Sequence, residues 1–192
     1  MFKVCQTEKS QRRQRLIEDT FFKLLEKNRY ENITITKICE TVPMPRKSFY
    51  RYFETKEDVL DALIQHNLAT YSGFTKNSKP IVKNIREEFE QFYTYWLDKK
   101  YFLDVLARNN LLPKILEIST SFPVFELVSM EKYLPQDDEW TRRKIVKFTI
   151  FGLISEVLGW YQEGFKTSIK DMANATYRII TKPLFPFDEI VK

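Results

Sequence analysis

Cationic and aromatic side chains alternate in the sequence RKSFYRYF, which covers residues 46–53. On a helix, three of the aromatic residues would share one face, because they lie three to four residues apart. These are Phe49, Tyr52 and Phe53. Arg46 and Lys47 would then project into solvent, where long cations can bind phosphate or guanine O6 and N7. The pattern predicts a helix that packs on a core with one face and binds a polyanion with the other.

A second short helix is predicted just before this stretch. Thr34 can cap it, and apolar residues follow at helical spacing. Pro43 and Pro45 end it, because proline disfavours helical geometry in the residue before it. Pro45 also suits the first turn of the next helix, where a missing N–H costs nothing. Two short helices with a tight break, at about residues 34–53, indicate a helix-turn-helix that enters a DNA major groove.

The positive charge of the chain is concentrated at this end. The net charge is +5. Residues 1–53 hold 12 Lys and Arg against 6 Asp and Glu, whereas residues 54–192 hold 19 against 20. A basic end on a neutral body is typical of proteins that bind nucleic acid. The alternative is a basic surface that is simply solvated.

The rest of the chain is predicted to be helical. Thr55 and Asp58 form an acidic capping box that begins a fourth helix, and apolar residues recur at helical spacing after Pro80. The chain has only 4 glycines, which argues against a β fold. We therefore expect an all-α protein of about nine helices. Residues 1–72 would be the DNA-binding domain and residues 73–192 a helical domain for dimerisation and effector binding.

One helix of the second domain, at about residues 145–161, is apolar on all sides, which predicts burial on more than one side. Gly152 and Gly159 would let another helix approach closely. With the last helix, this suggests a two-fold, four-helix dimer interface. The predicted interface residues are Ile150, Gly152, Leu153, Val157, Trp160 and Tyr177. The alternative is a central helix of a monomeric domain.

Aromatic residues in the second domain could line a pocket for a flat or greasy effector, although ordinary core packing explains the same spacing. They are Phe89, Phe92, Tyr93 and Trp96, with Phe122, Phe125 and Met130 further along the chain. No pair of carboxylates marks a site for a cationic effector.

Catalytic and metal chemistry find no support in the sequence. His66, which is the only histidine, has no Cys or carboxylate at metal-ligand spacing, and no nucleophile–base pair or phosphate-binding loop is present. We therefore expect no enzyme activity, no metal and no cofactor. Cys5 and Cys39 are far apart without a CxxC motif, as expected for free thiols in a reducing cytoplasm. No apolar run has the length of a signal peptide or a membrane span, so we expect a cytoplasmic protein.

Residues of about 10–70 resemble the N-terminal domain of the TetR (tetracycline-repressor-like) family. The similarity lies in a basic first helix followed by ITKICETV, MPRKSFYRYF and TKEDVL. Its most specific part is FYRYF, followed three residues on by Lys56-Glu57-Asp58. The segment from Gly152 to Phe165 resembles, more faintly, a C-terminal subgroup from Gram-positive bacteria. The resemblance implies a homodimeric repressor that a small molecule releases from a palindromic operator.

The same resemblance implies which residues contact DNA. Arg46, Lys47 and Ser48, at the start of the third helix, would contact base edges, Arg51 a phosphate or a base, and the others phosphates. The full set is Thr34, Thr36, Lys37, Arg46, Lys47, Ser48, Tyr50, Arg51 and Lys56. A packing role for Tyr50 and simple solvation of Lys56 remain alternatives. The family usually has glycine where Pro43 stands, so we expect a rigid, altered turn. The alternative function is a helical ligand- or partner-binding protein that has lost specific operator binding.

Overall fold

The computed structural model describes residues 7–77, 84–121 and 137–182. Within these ranges the chain forms nine α-helices and one 3-10 turn, Tyr30–Asn32, and no strand, so the predicted all-α fold is confirmed. The helices are α1 (Glu8–Lys27), α2 (Ile35–Thr41), α3 (Arg46–Phe49), α4 (Lys56–Asn77), α5 (Ile85–Asp98), α6 (Lys100–Arg108), α7 (Leu112–Ser121), α8 (Glu139–Gln162) and α9 (Ile169–Thr181).

The helix caps follow from local sequence. The side chain of Thr34 accepts a hydrogen bond from the Lys37 amide (3.1 Å) and so caps α2 as predicted. At the start of α4, the Asp58 amide donates to Thr55 Oγ1 (3.1 Å) and the Thr55 amide donates to Asp58 Oδ2 (3.1 Å). This reciprocal pair is the predicted capping box, and it satisfies N–H groups that have no partner inside the helix.

Gly164 ends α8. Its φ is 76°, a left-handed conformation that glycine adopts without steric cost. The Gly164 amide donates to the Tyr161 carbonyl (2.9 Å) and the Phe165 amide to the Trp160 carbonyl (2.8 Å). These two bonds form a Schellman motif, which satisfies carbonyls of the last turn.

Contacts divide the described residues into two compact units. The first contains the residues up to Ala69 and those from Phe102 through the end of α7. The second contains Thr70–Tyr101 and the described residues from 137 onward. This differs from the expected division into residues 1–72 and 73–192, because α7 and nearly all of α6 belong to the first unit. The chain also leaves the first unit inside α4, not in the polar stretch that follows it.

Long-range contacts explain why α6 and α7 join the N-terminal unit. The rings of Phe22 in α1 and Phe102 in α6 lie 5.7 Å apart, centroid to centroid. Lys114 Nζ of α7 lies 3.4 Å from Asp61 Oδ1 of α4. Burial raises the pKa of Asp61, while Lys114 acts in the opposite direction. Such pairs are far apart in sequence, so helical periodicity gave no sign of them.

The core of the first unit consists of aliphatic and aromatic side chains from α1 to α4, from α6 and α7, and from the segments between the helices. Its fully buried members include Ile17, Phe21, Ile33, Ile38, Phe49 and Phe53. Burial of each such side chain contributes about 1.5–3 kcal/mol to folding. The core therefore fixes α3 against α1 and α2. None of the helices in the described ranges has the length and apolar character needed to cross a membrane.

Candidate functional site

The recognition segment, defined as residues 46–53, begins with the single helical turn α3. Helix α3 ends at Phe49, whereas the sequence predicted a helix to Phe53. Backbone hydrogen bonds continue beyond it, with Tyr52 N donating to Phe49 O (2.9 Å) and Phe53 N also to Phe49 O (3.2 Å). Some of these hydrogen bonds join residues three apart and others residues four apart. The segment therefore stays coiled but is not a regular α-helix.

The turn between α2 and α3 is formed by Val42, Pro43, Met44 and Pro45. In the described residues positive φ occurs only at Asn110, Gly164 and Phe165, so the turn does not use the left-handed geometry that proline cannot adopt. Val42 and Met44 are buried, and the Met44 amide donates to the Cys39 carbonyl (3.2 Å). The turn is therefore held by its buried side chains and by the fixed φ of proline.

Replacing Pro43 with glycine should destabilise this turn. Glycine gains conformational freedom in the unfolded chain, so the free energy of unfolding should fall by about 0.5–1 kcal/mol. Urea denaturation followed by circular dichroism measures the difference. An unchanged midpoint and unchanged operator affinity would show that Pro43 does not set the turn.

The recognition segment buries two of the three aromatic side chains that were predicted to face the core. Phe49 and Phe53 are buried, with ring centroids 5.9 Å apart. Arg46, Lys47 and Arg51 are exposed, while Ser48 and Tyr52 are half-buried. Tyr50 is 43% exposed, and Arg46 Nη2 lies 3.3 Å from its hydroxyl oxygen. The segment thus carries a cationic outer face, and its contact with DNA stays a prediction.

Three other predicted DNA contacts have structural roles within the unit. The hydroxyl of Thr34 caps α2. Lys37 Nζ donates to Asn28 Oδ1 (2.6 Å), and Lys56 Nζ donates to the Tyr30 carbonyl (2.9 Å). An ammonium has three N–H donors, so these bonds do not prevent either lysine from binding phosphate. Thr36 is exposed in the first turn of α2. Neither lysine contact could be predicted from helical spacing.

The predicted effector residues of α5 are all buried, and they face two ways. Tyr93 packs on Trp160 (centroids 5.6 Å apart), and its hydroxyl oxygen lies 2.6 Å from Thr176 Oγ1. Phe92 instead contacts Tyr71 of α4 (5.4 Å). Both Tyr93 and Phe89 therefore belong to the core of the second unit. Phe122, Phe125 and Met130 lie outside the described residues.

The other side of α5 carries an aromatic cluster that the sequence only partly predicted. Its members are Tyr71, Phe92, Tyr95 and Trp96. Burial raises the pKa of Tyr71 and Tyr95. Trp96 Nε1 is buried and, among the described residues, has no hydrogen-bond partner. A buried donor of this kind is costly unless a ligand or water satisfies it.

Only some of the predicted dimer residues lie on the surface of the single chain. Leu153, Val157 and Trp160 are buried within the single chain, so they pack inside their own unit. Gly152 is exposed, and Ile150 and Tyr177 are half-buried. Gly152 and Ile150 remain available to a partner, whereas the guanidinium of Arg86 covers one face of the Tyr177 ring, 4.6 Å from its centroid.

The exposed apolar face of α8 and α9 includes residues that the sequence analysis missed. Phe148 is 77% exposed and Phe151 46%. Ile179 and Ile180 of α9 are also exposed. Phe148, Ile179 and Ile180 border a groove of about 630 Å³ that Gly152 also lines. Four exposed large apolar side chains on two neighbouring helices are the kind of surface that protein interfaces use.

His66 forms a structural contact. Its Nδ1 lies 2.5 Å from Oε2 of Glu18, a buried carboxylate of α1. In the described parts of the chain, no three His, Cys, Asp or Glu side chains form a group that could hold a metal. The contact joins α1 to α4.

Comparison with known proteins finds regulators of similar fold. No model of a known protein family matches the sequence. The chain is 26% identical over 113 residues to the HTH-type dhaKLM operon transcriptional activator DhaS of Lactococcus lactis. The match covers 54% of this chain and spans only 60% of that relative.

Two solved structures share the fold over most of their length. The fatty acid degradation regulator FadR from Bacillus halodurans has a TM-score of 0.54 at 16% identity, covering 94% of this chain and 98% of its own. The TetR family repressor AlkX from Dietzia sp., implicated in biodegradation of n-alkanes, has a TM-score of 0.51 at 13% identity. That match covers 86% of this chain and 92% of AlkX. At these identities the likeness is one of fold.

Proposed function

We propose that this protein is a DNA-binding transcriptional regulator of the TetR type. The observation that carries the proposal is the recognition segment, whose cations Arg46, Lys47 and Arg51 are exposed while Phe49 and Phe53 are buried. A short coiled segment that presents cations on a fixed core suits the major groove. The similarity in fold to known regulators supports the same conclusion.

In this proposal the regulator is a homodimer formed through the exposed apolar face of α8 and α9. A Cβ added at Gly152 or Gly159 would meet no described atom of its own chain within 4 Å, so a partner helix can approach closely there. Two-fold symmetry would place two recognition segments about one DNA turn apart. The operator should therefore be palindromic.

Phe148→Asp should disrupt this dimer. The substitution places a charge on the most exposed aromatic side chain of the face, where pairing would bury it without a partner. Light scattering after size-exclusion chromatography should give the mass of one chain, against two for the wild type. Tyr101→Asp, which changes another exposed aromatic residue, should leave the dimer intact. A dimeric Phe148→Asp variant would contradict the proposed interface.

The effector in this proposal is a small apolar or aromatic molecule that binds beside Phe92 and Trp96. The aromatic cluster supports this class, and the two similar structures are a fatty acid degradation regulator and a repressor implicated in biodegradation of n-alkanes. The effector would bind preferentially to a dimer state whose two recognition segments are not spaced to fit DNA. It would thereby lower the population of the dimer state that binds DNA. The protein would then act as a repressor.

Selection of bound fragments from its own genome, beginning with the DNA beside its own gene, tests the function. We expect a palindromic site with an affinity that falls steeply as salt rises. Expression of a reporter gene placed downstream of that site then shows whether the protein represses or activates transcription. If no fragment is enriched, the protein is a helical ligand- or partner-binding protein without operator recognition.

A further inference from the structure

Trp96 gives the second unit a buried hydrogen-bond donor that no described residue satisfies. Its side chain is 2% exposed, and its Nε1 has no hydrogen-bond partner in the described ranges. Its ring packs beside those of Phe92 and Tyr95, at centroid distances of 6.4 and 5.8 Å. Leaving a buried donor without an acceptor is more costly than an ordinary hydrogen bond is favourable. Trp96 Nε1 is therefore a position at which a bound molecule would gain a hydrogen bond.

Lys99, which follows the last residue of α5, places a positive charge beside the same cluster. Residues three and four apart are neighbours on a helix, so Lys99 lies next to both Trp96 and Tyr95. Its Nζ is 5.4 Å from the centroid of the Tyr95 ring, and its side chain is half-buried. Within the described parts of the chain its ammonium forms no ion pair. Burial lowers the pKa of Lys99, and the exposed Asp98 opposes this only in part. The charge is thus partly removed from water without a bound counter-ion.

The indole of Trp96 and the ammonium of Lys99 can only donate hydrogen bonds, which limits what they can bind. The indole has one N–H and the ammonium three, and neither group has an acceptor. A water held by this pair would find no acceptor in it for its own O–H groups. A carboxylate has only acceptor oxygens, and it also supplies the negative charge that Lys99 lacks. The two side chains therefore favour a carboxylate over water or a neutral group.

The aromatic cluster extends from this pair along α5. Phe92 and Trp96 are four residues apart and share one side of the helix. The ring of Tyr71 packs against those of Phe92 and Tyr95, at centroid distances of 5.4 and 5.5 Å. From Phe92 to Lys99 the helix rises by about 10 Å. All of these residues belong to the second unit. The cluster is thus cationic at one end and aromatic over the rest, which suits a short amphipathic molecule.

We propose that Trp96 and Lys99 bind the carboxylate of a small amphipathic acid whose apolar part packs against Phe92 and Tyr95. Trp96 Nε1 donates to a carboxylate oxygen, and the ammonium of Lys99 neutralises the charge. The effector is then a short aliphatic or aryl-substituted carboxylic acid. This rests on the proposed function, which takes the aromatic cluster as the effector site. Binding of the acid does not require DNA, so it can be measured on the DNA-free protein.

The indole N–H signals in a proton–nitrogen NMR spectrum test the hydrogen bond directly. The chain has three tryptophans, and the missing signal of Trp96→Phe assigns the one from Trp96. Octanoate and phenylbutyrate should each shift the Trp96 indole proton downfield, because its N–H gains a charged acceptor. The Trp160 signal should stay in place, since Trp160 Nε1 already donates to the Thr167 carbonyl (2.9 Å). Octanol and phenylbutanol, which have similar apolar parts and no charge, should not cause the downfield shift.

Calorimetric titration with octanoate supplies the second measurement. Trp96→Phe and Lys99→Met should each weaken octanoate binding by about tenfold or more, the usual effect of losing a hydrogen bond to a charged group. Lys99→Met keeps an apolar stem at a half-buried position, so it should fold even if Trp96→Phe does not. The matched control is Lys100→Met, which removes the same charge from the adjacent, exposed position. This control should bind octanoate as the wild type does.

Several results would overturn the carboxylate site. They are no binding of either acid, equal affinities for octanoate and octanol, an unshifted Trp96 signal in the complex, and equal losses in Lys99→Met and Lys100→Met. If genomic selection finds an operator but neither acid binds, the proposed function stands and this inference fails. If no DNA fragment is enriched while octanoate shifts the Trp96 signal, the acid site stands and the proposed function fails.

Discussion

The double variant Arg46→Ala and Lys47→Ala should bind the operator about 100-fold more weakly than the wild type, since each good cation–base contact is worth roughly 1–3 kcal/mol. Both side chains are exposed at the start of the recognition segment, and neither belongs to the core. The fold should therefore survive, with an unchanged melting temperature. Fluorescence anisotropy with a labelled operator measures the loss.

A charge-matched control separates base recognition from general attraction. Lys166→Ala and Lys170→Ala together remove the same charge from exposed positions of the second unit. This variant should lose only the small long-range attraction between protein and DNA. It should also keep its preference for the operator over unrelated DNA. Equal losses in the two double variants would mean that Arg46 and Lys47 contribute only net charge.

Trp160→Ala should lower the free energy of unfolding by about 3–5 kcal/mol, the usual cost of removing a large buried aromatic side chain. Trp160 is 2% exposed. Its ring packs on Tyr93 and on Phe165, at centroid distances of 5.6 and 4.6 Å. Its Nε1 donates to the Thr167 carbonyl (2.9 Å). The substitution thus leaves a cavity and an unsatisfied carbonyl.

Trp140→Ala is the matched control, because Trp140 lies in the same helix but is 68% exposed. It should change the free energy of unfolding by less than about 0.5 kcal/mol. Urea denaturation at several protein concentrations gives both values. A stable Trp160→Ala protein that has lost its dimer would instead assign Trp160 to the interface between protomers.

Local sequence was sufficient to predict the helices and several of their ends. Thr34, and Thr55 with Asp58, occupy the capping positions that were expected of them. A cap depends on atoms three or four residues away, so the sequence contains the necessary information. The orientation of Phe49 and Phe53 followed in the same way from helical spacing.

The assignment of faces on α8 could not be made from its sequence. Apolar residues surround this helix, so periodicity does not distinguish the side that packs on its own chain from the side left exposed. Only the structure separates the buried Leu153, Val157 and Trp160 from the exposed Phe148 and Phe151. The predicted dimer residues therefore divide between core and surface.

The basic recognition segment, the caps and the all-α fold were thus determined by the sequence itself, because each depends on neighbours within a few residues. Tertiary structure alone decided that α6 and α7 join the N-terminal unit, that Lys56 binds the Tyr30 carbonyl and that Asn109 binds the Tyr30 amide. These contacts join residues 26 and 79 positions apart. They depend on how the helices pack, which the periodicity of any one helix does not contain.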